Sequence, residues 1–114
     1  MTAHIRHLAS VPFAAIKSGN KVIESRLYDE KRRQIQLGDE LLFVSREDPN
    51  QTVEAKVVGL LRYETFKDLF SHNKPEKFGN SSVDSLEKQI SEFYNLDEQK
   101  RYGVLGIEFA LILK

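Results

Sequence analysis

Apolar and polar positions switch between two periods along the chain, and their order predicts the elements. His4 to Leu8 reads as a short first strand. Val11 to Ser18 reads as a short helix, with Ser10 as its cap and Pro12 tolerated near its start; Phe13, Ile16 and Ala14 would face a core. Gly19 stands where a helix C-terminal glycine takes positive φ. Lys21 to Tyr28 alternates as a strand. Ile23, Ser25 and Leu27 share one face, while Val22, Glu24, Arg26 and Tyr28 share the other. Asp29 to Arg33 is too polar for a core strand and reads as an exposed turn or loop. Gly38-Asp39 turns the chain into the buried strand Leu41-Leu42-Phe43-Val44. Asp48-Pro49-Asn50 is a turn, followed by a long strand from Thr52 to Tyr63 with Gly59 as a candidate bulge or bend.

The second half is more helical. Thr65 to Ser71 puts Phe66, Leu69 and Phe70 on one face. His72 to Asn80 is a polar loop. Ser82 to Tyr94 is the clearest helix, with Leu86, Ile90 and Phe93 recurring at helical spacing, and Asp97 to Arg101 forms one further turn. Val104 to Leu113 closes the chain as an apolar strand. The order is strand, helix, several strands, two helices, final strand. That is an α+β pattern, and its short turns suit an antiparallel, barrel-like sheet better than βαβ winding.

Composition narrows the picture. A chain of 114 residues predicts one domain over residues 1–114. With 40% hydrophobic and 30% charged residues and no low-complexity tract, a folded domain is expected over disorder. There is no cysteine, which excludes disulfide partners, thiolate zinc sites and thiol catalysis. No apolar run approaches the ~20 residues that span a bilayer, and Met1 to Ser10 has no long apolar region of a secretory signal. A cytoplasmic, monomeric protein without a membrane partner is expected. His4, His7 and His72 make no metal pattern, and no dinucleotide or phosphate-loop fingerprint occurs, so no cofactor or metal is expected.

The formal net charge is zero, which argues against a generic nucleic-acid coat. The charge is nevertheless uneven. Lys17, Lys21, Arg26, Lys31, Arg32 and Arg33 outweigh Glu24, Asp29 and Glu30, whereas Asp84, Glu87, Glu92, Asp97 and Glu98 face only Lys88. A local positive site on a neutral body suits a small anionic ligand or a short RNA.

The densest chemistry is Gly19-Asn20-Lys21-Val22-Ile23-Glu24-Ser25-Arg26, a cation, a carboxylate and a second cation directly after a glycine. Lys21 suits binding of a phosphate or carboxylate, or proton transfer if desolvated. Glu24 is a weak strand former on a partly covered face, so it needs a cation or donors. Either Arg26 supplies them in a structural ion pair, or a ligand does. Alternation sends Lys21 and Glu24 to opposite faces unless Lys21 still belongs to the turn. Tyr28, Tyr63, Phe78, Tyr94 and Tyr102 are aromatics able to stack on a base, and Tyr28, beside Lys31-Arg32-Arg33, is the best candidate.

These eight residues resemble the G-x-K-x-x-E-x-R motif of the ASCH (activating-signal-cointegrator homology) family at all four fixed positions. The resemblance implies a PUA-like small antiparallel or mixed β-barrel with covering helices. It also implies a cleft that binds RNA or a nucleoside-type ligand, lined here by Gly19, Lys21, Glu24, Arg26 and Tyr28. An alternative implication is a hydrolase using Lys21 and Glu24. One branch of the family hydrolyses the acetyl amide of N4-acetylcytidine with a lysine matching Lys21, a threonine near Glu24 and a distant glutamate. Here that threonine is Glu24, and Gly79 falls where the glutamate would lie, with Glu76 close by; both departures count against that activity. Other members are reported as ribonucleases, and of their residues only the lysine maps here, to Lys21.

Overall fold

In the computed structural model, which describes residues 2–80 and 82–113, one five-stranded sheet carries the chain. The elements are β1 (Ala3–Leu8), α1 (Ser10–Lys17), β2 (Ile23–Leu27), β3 (Glu40–Ser45), β4 (Thr52–Tyr63), α2 (Phe66–Ser71), α3 (Val83–Ser91), α4 (Leu96–Tyr102) and β5 (Val104–Leu111). Short 3₁₀ turns occur at Arg32–Gln34 and Pro75–Lys77. Strand order is β1-β3-β4-β5-β2; β1 runs parallel to β3 and the other pairs are antiparallel. The result is a mixed, curled half-barrel of α+β class.

β4 does most of the curling. Its first residues, Thr52 to Lys56, pair with β3, and Ala55 to Tyr63 pair with β5. The register shifts between Val57 and Gly59, inserting a bulge where Gly59 was expected to make one. A side chain at Gly59 would crowd Glu108, whose Oε1 would lie 2.8 Å and whose Cβ 3.1 Å from the added carbon.

The curl creates two cores. Inside it, Phe13 and Ile16 of α1 pack with Leu41, Phe43, Ala55, Val57, Leu105, Ile107 and Phe109. On the outer face, Ile23, Leu27 and Val104 pack with Phe66, Leu69 and Phe70 of α2, Phe78, and Leu86 of α3. α4 locks onto this second layer by giving the Gln99 Oε1 as acceptor to the Phe66 backbone N–H at 2.9 Å.

Several sequence expectations need correction. Ser10 lies inside α1; Ala9 holds the N-cap position, with no side-chain cap bond. Ala14 is exposed on the outer side of α1. Val22 packs against the outer core rather than beside Glu24, because the regular strand begins only at Ile23. Phe93 is 72% exposed: α3 ends at Ser91 and the chain turns before helical spacing can return Phe93 to the core. The last strand stops at Leu111, leaving Leu113 exposed.

Candidate functional site

The exit from α1 decides where Lys21 points. Gly19 takes φ 85° and its N–H bonds the Ile16 carbonyl at 3.0 Å, ending the helix. The Lys21 N–H then reaches back to the Ala15 carbonyl at 3.0 Å, and Lys21 pairs as a single bridge with Phe78. Lys21 therefore belongs to the turn, ahead of the regular alternation of β2, and this is the arrangement that brings it toward Glu24. Burial pushes the Lys21 ammonium below its ordinary range; the Glu24 charge opposes that shift and Arg26 adds to it. No hydrogen bond or ion pair engages the Lys21 ammonium among the described residues. Gly79 lies directly on Lys21. A carbon added there would meet the Lys21 Cβ at 3.3 Å.

Glu24 faces the inside of the curl opposite Ile107 and is only 1% exposed. Arg26 approaches its Oε1 with Nη2 at 2.5 Å, from the same face of β2. Arg6 approaches its Oε2 with Nε at 3.7 Å, from β1, where it lies opposite Phe43 and is 5% exposed. Both contacts are close in charge but poorly aligned. Among the described residues, neither Glu24 oxygen, nor the Nε of Arg6 or Arg26, has a hydrogen-bond partner. Burial lowers the tendency of the Arg6 guanidinium to hold its proton; Glu24 opposes this, while Arg32 and Arg26 reinforce it.

β1 and β2 are the two edges of the sheet. The Arg6–Glu24–Arg26 group therefore spans the seam that a closed barrel would seal with backbone hydrogen bonds. Beside it, Asp29 accepts from the Arg32 backbone N–H and from its Nη1, both at 3.1 Å, leaving the buried Arg32 Nε unpartnered. Arg6, Lys21, Arg26 and Arg32 thus surround Glu24 and Asp29: four cations, two carboxylates, an excess of two positive charges. A carboxylate this deeply buried is tolerable only among cations, and buried donors without partners beside it are uncommon in folded proteins.

Tyr28 follows β2 at the far end from Lys21. Its ring already has two guanidinium neighbours, Arg62 at 4.0 Å and Arg33 at 4.7 Å from its centroid. It borders a hollow of about 340 Å³ shared with Arg62, Tyr63, Glu64, Gly103 and Val104. The other candidate stackers, Tyr63, Phe78, Tyr94 and Tyr102, pack into the outer core. A larger hollow of about 720 Å³ between α2, α3 and α4 contains no residue of the motif. Glu76 is exposed in its 3₁₀ turn. His4 bonds the Asp39 carboxylate at 2.8 Å. No group of three or more His, Cys, Asp or Glu could hold a metal among the described residues.

One member of the cluster, Arg6, escaped the sequence reading, although it carried a readable signal, a lone cation sharing a strand face with the apolar Leu8. Arg32 was counted in the basic segment but not tied to Glu24, being one of three consecutive basic residues in a turn.

A curled mixed half-barrel with covering helices and a charged seam between its edge strands defines a PUA-like α+β class. The chain belongs to the ASCH domain family, whose profile matches residues 7–112. This PUA-like fold family suggests RNA binding. The chain is similar to the crystal structure of the hypothetical protein PH0355, with 36% identity over 98% of this chain and 100% of that one, and a TM-score of 0.83. It is also similar to the solution structure of protein PF0455 from Pyrococcus furiosus, with 28% identity over 97% and 98% and a TM-score of 0.74. The ASCH protein from Zymomonas mobilis shares the fold at 16% identity, over 96% of this chain and 67% of that one, with a TM-score of 0.68. No protein of curated function matches. Among the described residues, no helix is long and apolar enough to cross a membrane.

Proposed function

We propose that this protein binds RNA or a nucleoside-type ligand in the cleft lined by Gly19, Lys21, Glu24, Arg26 and Tyr28. One observation carries the reading: a buried carboxylate with no aligned hydrogen bond sits inside a surplus of positive charge. In this reading Lys21 and Arg26 contact anionic or carbonyl oxygens. Glu24 accepts from an exocyclic amino group, the usual role of a carboxylate at a base edge. Tyr28 and its guanidinium neighbours form a stacking margin.

Titration of a fluorescently labelled, random-sequence RNA hexamer tests the reading. Lys21→Ala is expected to weaken binding about tenfold, the usual scale for loss of a charge-assisted contact. Wild-type affinity is expected to fall as salt rises. Equal binding by wild type and Lys21→Ala would sink the assignment.

A second reading, hydrolysis of a modified nucleoside such as N4-acetylcytidine or of RNA, draws support from the lowered proton affinity of Lys21 next to Glu24. Release of cytidine and acetate by wild type, lost in both Lys21→Ala and Glu24→Gln, would favour it. Full turnover by either variant would remove it.

A further inference from the structure

We propose that the cleft contains a phosphate subsite made by the guanidinium groups of Arg6, Arg26 and Arg32, so that its ligand is a phosphorylated nucleotide or RNA strand and not a neutral nucleoside. This rests on the cleft reading above and specifies its substrate class.

The three arginines come from separate elements, β1, β2 and the Arg32–Gln34 turn. All three have a buried Nε that makes no hydrogen bond among the described residues. Arg6 is 5% exposed, so its donor has been taken out of water without replacement. The protein's own carboxylates do not balance the group. Arg6 and Arg26 share Glu24, and Arg32 has Asp29, leaving one guanidinium charge over even before Lys21 is counted. Arg26 and Arg32 each act on Arg6 as like charges, which puts all three in one electrostatic neighbourhood.

A seam held only by structural ion pairs explains Arg6 with Glu24. It explains neither the third guanidinium nor three unfilled donors. An anion explains both. The protein supplies planar carboxylates already, and forked donors carried by three separate elements suit the several oxygens of a phosphate.

Calorimetric titrations with cytidine, cytidine 5′-monophosphate and a random RNA hexamer test this, using wild type, Arg6→Lys and Arg32→Gln. Arg6→Lys keeps the charge facing Glu24 but removes the fork. Arg32→Gln lies on a more accessible turn, and thermal melting checks that both are folded. The expected result is that the monophosphate binds wild type about tenfold or more tightly than cytidine does, and that Arg6→Lys and Arg32→Gln abolish this difference. For the hexamer, Arg32→Gln is expected to flatten the salt dependence by about 0.7 per lost phosphate contact, whereas Arg6→Lys, which keeps its charge, is expected to leave the slope unchanged. Equal binding of cytidine and its monophosphate overturns the subsite while leaving the nucleoside reading intact. A phosphate preference that both folded variants retain also overturns it. Failure of all three ligands to bind wild type overturns the cleft reading and the subsite together.

Discussion

At the scale of single residues, Glu24 neutralises Arg6 across the seam, and in the proposed function it also offers acceptors to the ligand. Removing one partner of a buried ion pair leaves the other charge unpaired, which typically costs roughly 3–5 kcal/mol. Glu24→Gln is expected to lose stability on that scale in urea unfolding, with Arg6 as the stranded charge. A loss below ~1 kcal/mol would mean that the seam does not depend on this pair.

Asp39 is the other buried carboxylate with a defined job. It accepts from the His4 ring at 2.8 Å, the Gln36 N–H at 3.0 Å and the Thr2 N–H at 3.4 Å, tying the start of β1 to the entry of β3. The His4 hydrogen bond, then the backbone donors, hold its carboxyl below the usual carboxylate range, against the opposing effect of burial. A folded-state pKa lowered in this way gives stability that is present above the ordinary value near 4. That stability is lost as pH falls through the lower folded value. Wild type is therefore expected to lose melting temperature on acidification below about pH 4, and Asp39→Asn to show a shallower acid limb. Parallel acid limbs would remove Asp39 as the cause.

At the scale of elements, local rules sufficed where one period persisted. β4 runs from Thr52 to Tyr63 with its bulge at the expected glycine, and the buried face of α2 is Phe66, Leu69 and Phe70. They failed where an element ended within one or two residues of a key side chain. Phe93 matches helical spacing but lies past the end of α3, and Lys21 matches strand alternation but precedes β2. Gly79 shows the same effect on the site. Its φ of 80° and its contact with Lys21 belong to a loop remote in sequence from the motif. Gly79→Ala is expected to cost about 1 kcal/mol for the left-handed backbone and to displace Lys21, weakening RNA binding. Unaltered affinity in a destabilised Gly79→Ala protein would separate this glycine from the site.

At the scale of the molecule, charge and topology act together. The net charge is zero, yet four cations collect where the two sheet edges approach. Edge strands without a hydrogen-bonded neighbour on one side are the natural places for local opening. Hydrogen exchange is expected to be fastest, among the strands, along the facing edges of β1 and β2, and to speed up further there in Glu24→Gln. Uniform acceleration across β4 and β5 would mean that the variant opens globally. The sequence by itself determined the α+β order of elements, the face on which Glu24, Arg26 and Tyr28 lie, and the motif, because each depends on periodicity or on residues within one local segment. The tertiary structure alone decided that Lys21 swings toward Glu24, that Gly79 covers it, and that Arg6 and Arg32 join them. Those contacts link residues far apart in the chain, and only the curl of the sheet brings them within reach of one another.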